Sequence, residues 1–387
     1  MDAPNWAASG LAHLTGAPDG PPDFSRAAVL ARARAVAARF ATHTDVDADI
    51  ATLLTGRAAQ RGLTRRGRVS AGGATRLFPA RDGWCALTLS RADDVAAVPA
   101  LVQADVTDPW PAVESWARDR PAADVAARGR LLGLPVAVLG EHTGPAVTRR
   151  PHAPRADHGA PLVVDMSSMW AGPLCGQLLR RSGATVVKVE SPRRPDGTRS
   201  GPAPFFDWMN GGKLSYAVDF ADTPALRALL AVADVVIQSA RPQALARRAL
   251  GPDDVPTRSG RVWLRITGYG ADGEAANRVA FGDDAAVAGG LVGAGPVFCA
   301  DAIADPLTGL HAAVEIVESL RAGGGTLVDI AMAGVAAEYA RLPLCESESD
   351  WSAAPPAAPP ACEPAASLGE HNHVIARLID ERLRTPC

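Results

Sequence analysis

The 387-residue sequence has few aromatic residues, 5 % of the chain, and no excess of positive charge, its formal net charge being −3. Too few rings to stack on bases and no basic surplus argue against nucleic acid as a partner. The six cysteines (Cys85, Cys175, Cys299, Cys345, Cys362 and Cys387) are scattered, and none forms a CxxC pair. That argues against a zinc site and suits a reducing compartment. No uncharged apolar run is long enough to span a bilayer. The opening "MDAPNWAASG" has no basic stretch followed by an apolar one, so it does not read as a secretory signal. The cytoplasm is the expected setting. Three motifs are also missing. There is no GxGxxG in the first strand–helix turn, no GxxxxGK[ST], and no GxSxG. A nicotinamide fingerprint, a phosphate-binding P-loop and a serine-hydrolase elbow are therefore unsupported.

What is present is a large apolar fraction, 47 %, in a chain long enough for one large domain or two ordinary ones. Residues 1–60 read as a helical segment, with the Ala/Arg-rich run "RAAVLARARAVAARFA" from Arg26. Residues 61–145 read as a small α+β unit. In it, a turn at Asp82-Gly83 leads into a strand from Trp84 to Leu89 and then a polar helix start at Arg91 to Asp94. The connector "TGPAVTRRPHAPRADHGAP" from Thr143 reads as a linker. Residues 146–345 then alternate strand and helix. "PLVVDM" is an apolar strand, "GPLCGQLLRRSG" a helix stopped at Gly183, and "ATVVKVE" the next strand. Further strands are expected at Leu214–Asp219, Ala233–Ile237, Arg261–Ile266 and Thr326–Ile330. Short β-branched runs spaced by helices imply parallel strands with right-handed crossovers. The fold class is thus α/β, doubly wound, with a ligand beyond the carboxyl ends of the strands. Residues 346–387 close the chain as a Pro/Ala-rich strap (Ala353 to Ser367) and a terminal helix "HVIARLIDERLR".

Several strand ends carry a cation or a glycine-rich turn: "ESPRRPDGTRSGP", "NGGKLS", "QSARPQ" and "ITGYG". Each alone is compatible with a solvated turn. Together they suit a phosphate-bearing ligand. Near the end of the unit, "ADPLTGLH" places Asp305 before Pro306, which reads as a helix N-cap with proline at the first helical position.

In their shared order these pieces resemble the family III CoA-transferases, the group that includes formyl-CoA transferase, carnitine CoA-transferases and alpha-methylacyl-CoA racemase. The resemblance runs through "VVDMSSMWAGPLCGQLLRRSGATVVKVESP", "DGTR", "NGGKLSYAVDF", "ADVVIQSARPQAL", "RVWLRITGYG" and "ADPLTGLHAAVEIVESLRAGGGTLVDIAM". It implies a Rossmann-like large domain that binds CoA, a smaller α+β domain, and two chains interlocked as a homodimer. It also implies acyl-CoA and a small organic acid as substrates, with no tightly bound cofactor and no metal. By position, Met169, Trp170 and Ala171 would line the adenine or pantetheine path. Ser239, Ala240 and Arg247 would continue it, with Lys213 and Arg199 as nearby cations. Asp305, Thr308, Gly309 and His311 fit the family pattern D-x-x-[ST]-G-[LM]-H, which makes Asp305 the expected nucleophile. Gly72 and Gly73 in "SAGGATR" are candidates to hold an oxyanion, or an ordinary turn.

The sequence also departs from the family. "ASGLAHLTGAPDGPP" (Ala8 to Pro22) resembles the segment that usually lies between the "TGYG" turn and the catalytic aspartate. The small unit follows it and precedes the large one, so the order looks permuted. Trp170 stands where a smaller or polar residue is usual, and Ser191 where many members carry a basic one. Asp283 stands where racemases carry the histidine of "GHD". A racemase needs a second acid–base group there. Asp301 reads as a loop carboxylate near Asp305. Three readings follow: a CoA-transferase, a CoA-thioester racemase or isomerase, and a degenerate CoA-binding homologue.

Overall fold

The computed structural model describes residues 2–156, 159–345 and 352–384. Two main sheets organise them. The smaller is antiparallel, in the order β1 (Thr75–Ala80), β2 (Gly83–Thr88), β3 (Val136–Val138). The hairpin loop is Arg81-Asp82, one residue earlier than the sequence suggests.

The larger sheet has seven strands: β4 (Val147–Pro151), β5 (Leu162–Met166), β6 (Thr185–Glu190), β7 (Leu214–Ala217), β8 (Val235–Gln238), β9 (Val262–Thr267) and β12 (Thr326–Ala331). A two-stranded ribbon, β10 (Val292–Gly293) with β11 (Val297–Phe298), lies outside it. The strand order is β4-β12-β9-β8-β5-β6-β7. Every pairing is parallel except β4 with β12. The chain runs outward from β5 to β7, then returns to β8 and runs outward the other way. The direction reverses between β5 and β8, where doubly wound sheets open their ligand crevice.

Strands β5 and β9 are buried along their whole length. Side chains alternate between faces, so each strand feeds two cores. Val163, Ile237, Leu264 and Val328 face a core completed by the helices Ala171–Arg181, Ala304–Arg321 and Ala28–Thr44. Leu162, Val164, Val236 and Leu327 face the other, covered by the helices Thr223–Val232 and Asn372–Arg384. The N-terminal helices therefore share a core with the large sheet. Leu77 and Ala86 of the small sheet pack on Val287 of the helix Gly282–Ala288 and on Phe298, which joins the two sheets.

The Thr143 connector differs from its reading as a linker. Its Val147–Pro151 stretch pairs with β12 as the edge strand. The sequence "VTRRP" hides this because an edge strand is held by its backbone and tolerates charge. Residues 352–367 form no regular element but are tied down as a strap. Ala354 N donates to the Ala7 carbonyl at 2.9 Å, and Ala365 N to Asp207 Oδ1 at 2.8 Å. The beginning of the 346–387 region lies outside the described residues. Among the described residues no helix is long and apolar enough to cross a membrane.

Candidate active site

Beyond β5 the chain turns through Ser167–Trp170 into the helix Ala171–Arg181. The turn rests on buried charges. Lys213 Nζ donates to Asp165 Oδ2 at 2.9 Å and to the Pro173 carbonyl at 2.8 Å. Lys188 Nζ donates to Asp196 at 2.8 Å and to the Ser167 carbonyl. Asp196 in turn accepts from the Met169 amide at 3.1 Å. That contact holds Met169 in the left-handed region, φ 75°, a conformation unusual for a side chain with a Cβ. Burial opposes ionisation of Asp165, but Lys213, Lys188 and the Ser167 hydrogen bonds overcome it, and its carboxyl lies below the usual range.

Asp305 sits a short way across this turn. The helix starts at Ala304 with Ile303 as its N-cap, two residues earlier than the Asp-Pro pair suggests, and Asp305 makes no cap of its own helix. Left-handed residues on both sides of Asp301, Ala300 at φ 56° and Ala302 at φ 43°, turn the chain into that helix. The Asp305 carboxylate is thereby released to accept the backbone amides of Gly282 and Ala171, each the first residue of another helix. Helix N-termini favour a carboxylate. Gly282 and Gly309 both serve this approach. A Cβ on Gly282 would run into Asp305 Oδ2 and the Ala302 carbonyl, and one on Gly309 would press on the Ala171 carbonyl.

Asp305 opens onto a cavity of about 400 Å³. Its walls come from the small sheet, the turn after β5, the N-terminal helices and two further helix starts: Arg57 and Arg61, Ser70, Gly72 and Thr75, Thr88 and Ser90, Met169 and Trp170, Phe205, and Phe281 to Asp283. The Asp305 carboxyl, enclosed by protein on its other sides, is pushed up by burial to about 7; Arg57 and the two amides pull against that, while Asp283 adds to it. Asp283 is raised by burial and by Asp301 to about 6. Asp284 behind it is raised by burial to about 7. Two hydroxyls bridge this pair: Thr88 Oγ1 donates to Asp284 at 2.8 Å and accepts from Thr75 Oγ1 at 2.9 Å, and Thr75 Oγ1 lies 3.3 Å from Asp283. Arg57 is bound to Asp301 through two hydrogen bonds, of 2.8 and 2.5 Å.

The other expected residues fall in three places. Gly72, Met169 and Trp170 face the cavity with Asp305, and Ala171 contributes its amide. Gly73 does not join Gly72, because its amide donates to the Ser70 carbonyl at 2.8 Å. Trp170 is buried, edge-on to Phe205 at 5.4 Å and under Arg57. Lys213 is not a surface cation: 1 % of its side chain is exposed and it serves Asp165. Arg199 is likewise committed, to Glu190 at 2.7 Å and the Ala366 carbonyl, with its guanidinium over Phe206. Ser239 and Ala240 lie at the carboxyl end of β8, where Ser239 Oγ accepts the Ser168 amide at 3.2 Å. Arg247 is exposed beyond them. His311 faces away, with Nε2 on Tyr339 OH at 3.1 Å, and Thr308 is buried. Sequence reasoning missed Arg57, which lies in a helix of undistinguished composition, and the role of Gly282.

These features coincide with a known family. The CoA-transferase family III profile matches residues 161–366, just over half of the chain, and the chain belongs to that family. A probable fatty acyl-CoA transferase of Mycobacterium tuberculosis is 35 % identical over 128 residues, covering 30 % of this chain and 32 % of its own length. Mouse succinyl-CoA:glutarate CoA-transferase is 31 % identical over 188 residues, 43 % of each chain. The succinate–glutarate CoA-transferase of Agrobacterium fabrum is 28 % identical over 202 residues, covering 45 % of this chain and 50 % of its own. The chain thus spans half or less of the curated relatives it matches. A solved CaiB/BaiF family protein from Brucella suis is 28 % identical with a TM-score of 0.41, over 48 % of this chain and 55 % of its own.

Proposed function

We propose that the chain moves CoA between an acyl-CoA thioester and a carboxylic acid, with Asp305 as the nucleophile. The observation that carries this is the Asp305 carboxylate, aimed at by two helix-start amides and open to a cavity of about 400 Å³. The Asp305 oxygen attacks the thioester carbonyl carbon, the C–S bond breaks, and CoA leaves as thiolate. The thiolate then attacks the aspartyl carbonyl of the resulting anhydride, releasing the donor acid and leaving an aspartyl-CoA thioester. The acceptor carboxylate attacks that thioester, and the returning thiolate takes the acceptor's acyl carbon and frees Asp305. Gly72 in the opposite wall is the candidate to meet the tetrahedral oxyanion. CoA would reach the cavity along the β5–β8 crevice, past Met169, Ser168 and Ser239.

The relatives that act on succinate and glutarate suggest a small organic acid as acceptor. The geometry supports the permuted reading as well. Thr15 Oγ1 accepts the Ala300 amide at 3.0 Å, and Arg26 donates to the Val292 and Ala340 carbonyls. The Ala8–Pro22 segment thus lies against the loop that precedes Asp305, although it opens the chain. A homodimer, which the family resemblance suggests, is the assembly we propose. We place the protein in the cytoplasm and keep the four-region division as the domain scheme.

The test is trapping. After incubation with acyl-CoA, borohydride or hydroxylamine should leave a mass change on the peptide carrying Asp305. An unmodified peptide in a preparation that still transfers CoA would sink the covalent route. One specific observation keeps a second reading, α-proton isomerisation: Asp283 lines the same cavity. Deuterium uptake at the α-carbon without CoA exchange would establish that reading instead.

A further inference from the structure

A second cavity, of about 310 Å³, opens on the far side of the helix that carries Asp305. Four elements contribute four arginines or the floor beneath them. Arg32 and Arg39 come from the helix Ala28–Thr44, Arg149 from β4, Arg341 from the end of the helix Met332–Ala340, which also contributes the carboxylate Glu338, and His311 and Glu315 from the helix Ala304–Arg321. His311 and Glu315 form a buried floor, each 6 % exposed. Two of the arginines are already oriented. Arg149 uses Nε and Nη2 on Glu315, at 2.5 and 2.6 Å, and Arg39 uses the same two nitrogens on Glu318. Each keeps Nη1 for another acceptor. Arg32 and Arg341 make no ion pair with a described residue. Carboxylates placed behind guanidinium groups fix their planes without using up the fork, which is how a bidentate anion site is pre-organised. His311 reports the resulting potential. Burial first, then Arg32 and Arg39, push it down to about 4, so the imidazole is neutral at pH 7 and adds no charge to the floor.

We propose that this cavity is a second binding site, separate from the Asp305 cavity, for a small organic polyanion bearing at least two phosphate or carboxylate groups. Its volume exceeds that of one phosphate, and arginines converge on it from three sides. Phosphate and carboxylate present the same pair of acceptor oxygens to a guanidinium, so two probes separate them.

The experiment titrates inorganic pyrophosphate and, separately, citrate into the full chain by calorimetry. The wild type is compared with an Arg32→Gln/Arg341→Gln double variant, whose changes are exposed and leave both buried floor residues intact, and with Arg61→Gln at the mouth of the Asp305 cavity. One site per chain is expected for at least one probe, with affinity lost by about tenfold for each arginine removed and unchanged in Arg61→Gln. Circular dichroism confirms that the double variant is folded. No binding of either probe at millimolar concentration overturns the proposal. So does binding that survives in the double variant or fails in Arg61→Gln, since the anion would then be in the other cavity.

Discussion

Two groups of buried charge lie at the start of the helix Ala171–Arg181. Under its first turn, Asp165 and Asp196 are each matched by a lysine within 2.9 Å, and both carboxyls fall below their usual range. Beside its first residue, Asp283 and Asp305 share one nearby guanidinium, which is already committed to Asp301, and with Asp284 behind them all three carboxyls rise to about 6 or 7. The residue types are similar and so is the degree of enclosure. What differs is whether the charge is answered. An answered cluster builds the turn, and an unanswered one keeps groups that can still change charge near neutral pH, which is what chemistry requires.

Removing the Asp305 carboxylate should show the largest effect. In Asp305→Asn, kcat for CoA transfer is expected to fall by about 10³-fold or more, because the oxygen proposed to form the bond is gone. Stability should move the other way. The folded carboxyl titrates near 7 and the unfolded one near 4, so the stability contributed by the protonated form is lost as pH rises through about 7. Thermal unfolding of Asp305→Asn should therefore match or exceed the wild type at pH 8. A wild-type rate in this variant would place the site among the structural clusters.

The matched cluster should fail in the opposite way. Lys213→Met leaves Asp165 charged, enclosed and half-answered, which is expected to cost about 3–5 kcal/mol of stability in denaturant unfolding. A variant that keeps its stability but loses only CoA affinity would show that Lys213 serves the ligand after all.

This contrast was only partly legible in the sequence. The strands β5, β6, β8 and β9 could be read because they are buried on both faces and rich in β-branched residues. Asp305 could be singled out as the proposed nucleophile because its motif is local. Lys213 was misplaced because a lysine after a glycine turn looks the same in sequence whether it faces solvent or a buried aspartate. Arg57 was missed because its partner, Asp301, is brought to it only by the packing of the N-terminal helices on the large sheet. Edge strand β4 was invisible because a backbone-held strand needs no apolar pattern. Pairings between distant segments decide all three, and no periodicity records them.

A smaller effect tests how finely the unanswered site is built. Gly282→Ala adds one methyl between the helix start and Asp305 Oδ2. The helix must withdraw its amide, or the carboxylate and the Ala302 carbonyl that the methyl also meets must be pushed aside. A displacement of this size is expected to lower kcat by about 10²-fold, with KM for acyl-CoA moving much less and the fold retained. Equal losses in kcat and affinity would mean that the methyl closes the cavity instead of misaligning the nucleophile.

The smallest effect separates the unanswered carboxylates from one another. Asp284 is buried at 0 % exposure behind the cavity wall, with Oδ1 on Thr88 and the Phe281 amide and Oδ2 without a partner. Its raised pKa, about 7, means that the folded form holds a proton that the unfolded chain gives up near 4. Between those values stability declines as pH rises, and above about 7 the folded protein carries the charge. Asp284→Asn keeps the neutral shape at every pH. Its unfolding midpoint should decline less between pH 5 and pH 8 than the wild type's, with CoA transfer reduced by no more than a few-fold. The slope is the quantity to read, because the new amide can shift the absolute value by itself. An unchanged slope would mean that Asp284 is ionised at pH 5 and that its enclosure is answered by something other than a proton. A collapse of transfer would move Asp284 from support of the small sheet into the chemistry itself.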